Sequence, residues 1–191
     1  MKHLFILRHG FYDKWNQGKL DEAGKPEIEA IAKEMGMIIN NDPKKHYLIA
    51  SPVIRTKETA KIIANKLNLE KINLDSKLET RGGNLQQETI KYLDEFIELQ
   101  SNKYDTITIV GHEEIATKYS KYLAKRLFEK DFDTYVRECE GVYFNIEKKS
   151  CKLFPEKKID NFEKTNNFSS PHKSPITSFH YILKFTSPKG T

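Results

Sequence analysis

Three short stretches hold residue types that together could handle phosphate. Arg8-His9-Gly10 follows the apolar run Leu4-Phe5-Ile6-Leu7, Arg55 follows Ser51-Pro52, and His112 follows Ile107 to Gly111. Two guanidiniums offer forked donors that match phosphate oxygens, and a helix amino terminus adds positive potential. His9 among such cations is disfavoured as imidazolium, so a ring nitrogen stays free to attack a bound phosphoryl group. The plainer reading of Arg8-His9 alone is a solvated turn after a core strand. Metal chemistry fits His9 and His112 poorly: no Asp or Glu accompanies them at zinc-site spacing, and flanking arginines repel a cation. No metal and no cofactor is expected. His3, His46, His172 and His180 lack comparable neighbours and read as surface or capping residues.

These residues matter only if the chain brings them to one place. Strand and helix patterns alternate along it. Leu4 to Leu7, Tyr47 to Ala50 and Thr106 to Val110 read as buried strands. Ile28, Ile31, Ala32, Met35, Ile38 and Ile39 recur at helical spacing after Asp21, a cap signal. Ser51-Pro52 signals the start of a second helix, with Ser as cap and Pro at the first helical position. Residues 71–78 are ambiguous, and Arg81-Gly82-Gly83 reads as a loop. A third helix carries Ile90, Leu93, Phe96 and Ile97, and a fourth carries Ile115, Ala116, Tyr119, Tyr122, Leu123 and Leu127. Val142 to Ile146 and Cys151 to Phe154 look like a hairpin. Such alternation predicts an α/β fold of three layers, α/β/α, with a mostly parallel central sheet. A doubly wound sheet delivers strand-end residues to one carboxyl edge, where Arg8, His9, Arg55 and His112 could share a pocket.

At 191 residues and 38% hydrophobic side chains, the sequence suits one compact domain, residues 1–155, followed by a basic extension, residues 156–191. The extension holds six lysines against three carboxylates, so it carries more than half of the net charge of +5. Its Ser-Pro-rich stretch, Ser169 to Pro175, reads as extended, and Phe179 to Phe185 as a further edge strand or a surface segment. No apolar run reaches membrane-span length, and a soluble, cytoplasmic protein is expected. Cys139 and Cys151 suggest reduced structural thiols, with a single pairing as the alternative.

Together, Arg8-His9-Gly10, Ser51-Pro52-Val53-Ile54-Arg55 with Glu58-Thr59-Ala60, Leu78-Glu79 and Val110-Gly111-His112-Glu113 resemble the histidine phosphatase superfamily, also called phosphoglycerate-mutase-like. The resemblance spans residues 1–155. It implies that His9 is phosphorylated and then hydrolysed, that Arg8, Arg55 and His112 bind the phosphate, and that Glu79 donates a proton to the leaving group. Asn16 is carried over as a phosphate ligand, although Phe11-Tyr12-Asp13 follows Gly10 and shifts Asn16 by one position. Glu113 and Glu114 could also enter the site. Only 33 positions separate Glu79 from His112, too few for a mutase insertion, which favours a small phosphatase akin to phosphohistidine phosphatases. The expected substrate is a small phosphate ester, a phosphohistidine or a phosphoprotein. A non-catalytic phosphate-binding or interaction protein with a vestigial pocket is the alternative. Nucleic-acid binding through the tail ranks below both, and the sequence does not set the oligomeric state. Phe11, Tyr12 and Trp15 either line the entrance or pack against its rim.

Overall fold

The first apolar run forms β1 (His3–Arg8), in which Leu4 to Leu7 are almost completely shielded from solvent. A strand buried on both faces needs cover on both sides, and the helices supply it. In the computed structural model, which describes residues 1–39, 42–80 and 82–156, β1 is followed by α1 (Lys25–Ile39), β2 (His46–Ala50), α2 (Ile54–Leu67) and β3 (Asn73–Leu74). Then come α3 (Gln87–Ser101), β4 (Thr106–Gly111), α4 (Ser120–Phe128), β5 (Gly141–Asn145) and β6 (Ser150–Phe154). The six strands form one sheet in the order β3-β2-β4-β1-β5-β6. Its first four members are parallel, and β5 and β6 close it as an antiparallel hairpin.

Side-chain alternation divides the core in two. Leu4, Ile6, Ile49, Ile107 and Ile109 point to the layer that holds Leu93, Phe96 and Ile97 of α3 and Leu123 of α4. Phe5, Leu7, Leu48, Ala50 and Val110 point the other way, onto α1 and α2. The layers are therefore α/β/α around a mostly parallel sheet, as the alternating pattern implies.

Register decides where the chemistry can sit. Arg8 lies opposite Gly111 across β1 and β4, and Ala50 lies opposite Val110 across β2 and β4. The carboxyl ends of three parallel strands are thus level, and the residues just beyond them, His9, Ser51 and His112, emerge on one edge. Packing favours Gly10 there: a Cβ would come within 2.4 Å of Ile28 Cδ1 on α1, and that side chain would have to move. Its backbone is not left-handed.

Several expectations need correction. Asp21 caps a short 3-10 turn, Glu22–Gly24, rather than α1 itself. Ser51 does not cap α2, which begins at Ile54 with Val53 at the cap position and no side-chain cap; the Ser51 hydroxyl accepts from Val53 N at 3.4 Å and pairs with His112 Nε2. The ambiguous stretch contributes two strand residues, paired with Ile49 and Ala50. A wide π-helical turn, Glu114–Tyr119, precedes α4. His46 is neither surface nor cap; it is 93% buried and hydrogen-bonds Thr108 Oγ1 through Nε2 at 2.8 Å. Cys139 and Cys151 are both free, in agreement with reduced thiols. No helix among the described residues is long and apolar enough to cross a membrane. The serine-proline stretch and the Phe179 to Phe185 segment lie outside the described residues.

Candidate active site

The end of β1 is clamped before any side chain is considered. His9 N donates to Gly111 O at 3.1 Å, and His9 O accepts from Cys139 N at 3.1 Å, so the residue is held between the end of β4 and the segment that leads into β5. Gly10 N donates to Thr59 Oγ1 at 3.0 Å, and that hydroxyl donates to Arg55 O at 2.8 Å, which ties the turn to α2. Backbone clamping of this kind fixes a reactive side chain to within a fraction of an ångström.

The His9 ring is then oriented by its own chain. Nδ1 lies 2.8 Å from Gly10 O, and since a carbonyl only accepts, Nδ1 carries the proton. Nε2 therefore holds a lone pair, and Arg55 Nε donates to it at 3.0 Å. Arg55 also reaches Nδ1 of His112 with Nη2 at 3.2 Å, so that nitrogen accepts and His112 Nε2–H points to Ser51 Oγ, 3.2 Å away. The two imidazole centroids are 5.5 Å apart. Tyr12 completes the cluster: the Arg55 guanidinium lies 4.6 Å from its ring centroid, and its ring meets His9 edge-on at 5.2 Å. Arg55 is thus the shared partner of both histidines.

Burial above all pushes the His9 pKa down to about 3; the Gly10 carbonyl opposes this, and Arg55, His112 and Arg8 add to it. His112 is lowered to about 4 for the same first reason, with Arg55 next and Glu114 opposing. His46 falls to about 4 through burial, with His3 adding. All three rings are neutral at pH 7, and their ordinary value is 6.5. Below about 6.5 the unfolded chain binds protons that the folded chain refuses, so stability drops as pH falls from there toward 4. Each such ring contributes up to about 1.4 kcal/mol per pH unit in that window. Denaturant titrations should show the midpoint falling between pH 7 and pH 5, and His46→Gln should make that fall shallower. A midpoint indifferent to pH would contradict neutral buried rings.

The sequence model of the histidine phosphatase superfamily (branch 1) matches residues 4–117, a span that holds His9, Arg55 and His112. The chain belongs to this superfamily. No curated protein matches the sequence. Among solved structures, the protein histidine phosphatase SixA complexed with tungstate aligns with a TM-score of 0.58 at 16% identity, covering 79% of this chain and 93% of that one. A mycobacterial glucosyl-3-phosphoglycerate phosphatase in complex with inorganic phosphate gives 0.54 at 14% identity, covering 80% and 95%. At such identities the likeness is one of fold. Superfamily membership makes this chain a hydrolase of the phosphatase type, acting on phosphorylated substrates.

Within this histidine phosphatase, the residues expected at the site are not all in one place. His9, Arg55 and His112 converge. Arg8 is adjacent, but its guanidinium is held by Tyr135 Oη at 2.9 Å, Val136 O at 3.1 Å and Glu138 Oε1 at 2.6 Å. Asn16 is exposed in a tight turn, where its carbonyl accepts from Lys19 N. Glu79 is exposed at the end of the 3-10 turn Ser76–Leu78. Among the described residues, no hydrogen bond links the Asn16 or Glu79 side chain to His9, Arg55 or His112. Tyr12 enters the site while Trp15, at the tip of the same loop, is 96% exposed. Ser51 and Thr59 stand inside the sequence motifs, but the contacts they make here, Ser51 Oγ with His112 Nε2 and Thr59 Oγ1 with Gly10 N, are not roles those motifs announce. Glu114, expected as a residue that could enter the site, is buried, accepts from Thr80 Oγ1 at 2.6 Å and acts electrostatically on His112.

Proposed function

We propose that the chain is a phosphomonoesterase that works through a covalent phosphohistidine on His9. The carrying observation is the tautomer: Nδ1–H is spent on Gly10 O, so the Nε2 lone pair is the one presented to the site. In the first step Nε2 bonds to phosphorus as the bond to the leaving oxygen breaks, and a carboxylic acid protonates that oxygen. In the second, water attacks phosphorus, the N–P bond breaks back to the neutral ring, and the carboxylate takes the proton from water. Arg55 Nε donates to Nε2; a phosphate dianion draws its guanidinium onto phosphate oxygens and uncovers the nucleophile. The same dianion counters the positive field on His112 and favours a proton there, which turns His112 into a phosphate donor. Arg8 supplies further positive charge. Positioning and charge neutralisation then dominate the rate, as they do for phosphoryl transfer generally.

Two carboxylates compete for the role of proton donor. Glu79 holds the position that the family resemblance assigns, whereas Glu114 is the carboxylate buried beside His112. Burial and its electrostatic action on His112 favour Glu114. Glu114→Gln is expected to slow hydrolysis of an alkyl phosphate by about 100-fold or more, and that of p-nitrophenyl phosphate, whose leaving group departs unprotonated, far less. Glu79→Gln should change both by only a few-fold. The opposite ranking in steady-state assays returns the role to Glu79.

The protein histidine phosphatase and the glucosyl-3-phosphoglycerate phosphatase among the neighbours support two substrate classes, a protein-borne phosphohistidine and a small phosphate ester. Phosphate release measured over sugar phosphates, nucleotides, phosphotyrosine peptides and phosphohistidine peptides separates them. The exposed Asn16 favours one competing reading, a phosphate-binding protein without turnover. Micromolar anion binding with no hydrolysis across that panel would establish it in place of ours.

A further inference from the structure

Glu138 lies outside every motif singled out in the sequence, yet it holds one of the four residues expected to grip the phosphate. We infer that Glu138 is a positioning residue that fixes the Arg8 guanidinium in a single orientation and offsets part of its positive field, giving up phosphate affinity for alignment. The inference rests on the phosphatase reading of the same site.

The segment from Tyr135 to Glu140 crosses the end of β1 and is built onto it. Arg8 N donates to Glu140 O at 2.8 Å, and Cys139 N donates to His9 O at 3.1 Å. Val136, fully buried, is anchored from the other side by its N–H on Thr117 Oγ1 at 3.1 Å. From this rigid base three acceptors converge on one guanidinium. Val136 O and Tyr135 Oη take Nη1, and Glu138 Oε1 takes Nη2 in an ion pair whose side chains are 12% and 25% exposed. That leaves Arg8 Nε, which is buried and without a partner among the described residues. An N–H that is buried and unmatched is costly, and one that persists calls for a partner such as a water or an ion. The strap thus saturates Nη1 and takes Nη2, and Nε is the guanidinium donor that it leaves unpaired.

Two opposing consequences follow for Glu138→Gln. Loss of a carboxylate 2.6 Å from Arg8 raises the positive charge of the site, so an anion binds more tightly in the ground state. Loss of the charge-assisted hydrogen bond frees the guanidinium to rotate, so the transition state is held less well. A residue that served only folding would instead lower the active fraction, reducing kcat without moving KM or the affinity for phosphate.

The test compares wild type, Glu138→Gln, Glu138→Asp and each Glu138 change combined with Arg8→Lys, all in the full chain. Expected for Glu138→Gln are a kcat reduced about 10-fold or more, a lower KM, and a dissociation constant for orthophosphate reduced several-fold by calorimetry. Glu138→Asp should recover part of kcat. In the Arg8→Lys background, where no fork remains to orient, Glu138→Gln should have little further effect on kcat. Unchanged kcat, a weaker orthophosphate affinity, or full additivity with Arg8→Lys would each overturn the proposal. Should the wild-type protein hydrolyse no phosphate ester, the functional reading falls by itself. Orthophosphate binding then still decides this one, since tightening in Glu138→Gln upholds it and no tightening removes it.

Discussion

His9→Ala is expected to abolish phosphate release, lowering kcat/KM by about 10,000-fold or more, because removal of a nucleophile in a group that acts as a unit can cost up to about a million-fold. The reason lies in the division of labour around the ring. Burial keeps His9 neutral, Gly10 O keeps its proton on Nδ1, and the clamped backbone aims Nε2 at Arg55. Any other residue at position 9 lacks that lone pair. The fold should survive the change, since His9 is joined to its neighbours chiefly through backbone hydrogen bonds that alanine preserves. Thermal unfolding of the variant should therefore stay cooperative. In the wild-type protein, rapid quenching with labelled substrate should leave acid-labile, base-stable phosphate on His9. Turnover by His9→Ala at a rate near that of wild type would exclude a phosphohistidine at this position.

What the sequence made legible follows a physical pattern. Strands buried on both faces must be nearly continuous apolar runs, so β1, β2 and β4 could be read directly, and with them the level at which His9 and His112 emerge. The two-residue β3 could not, because pairing with Ile49 and Ala50 rather than any local preference defines it. Ser51 follows a related logic. Ser before Pro is a sound local signal, and the hydroxyl does accept from Val53 N at 3.4 Å, yet its pairing with His112 is long-range and no local rule contains it. The neutrality of His9 was read from its cationic neighbours, whereas burial is the larger cause, and burial is a property of the assembled sheet. Tyr12 was visible only as one aromatic in a loop. Its place over Arg55 depends on the bridge between Tyr12 and Leu20 and on Glu58, which accepts from Leu20 N at 2.7 Å. The strap from Tyr135 to Glu140 has neither period nor motif, and only its contacts reveal it.

Arg55 carries the second large effect, since among the described residues it alone hydrogen-bonds both histidines. Arg55→Ala is expected to lower kcat/KM by about 1,000-fold, the upper range for removing a preorganised donor of developing negative charge. Arg55→Lys should recover little of this: an ammonium retains the charge but cannot bridge two phosphate oxygens in one plane or lie flat against Tyr12. The pH profile supplies a second, independent readout. The Arg55 cation disfavours the protonated forms of His9 and His112, so its removal raises both pKa values. Burial, the larger cause, remains, and the rise stops short of 6.5. The acid limb of kcat/KM, where neutral His9 is lost, should accordingly move to higher pH in Arg55→Ala than in wild type on the same substrate, whose own titration is common to both profiles. Arg55→Lys, which keeps a cation in place, should leave that limb close to its wild-type position while remaining slow. An acid limb that stays fixed in Arg55→Ala would mean that the guanidinium does not act on the nucleophile, and the coupling through which substrate uncovers His9 would have to be given up.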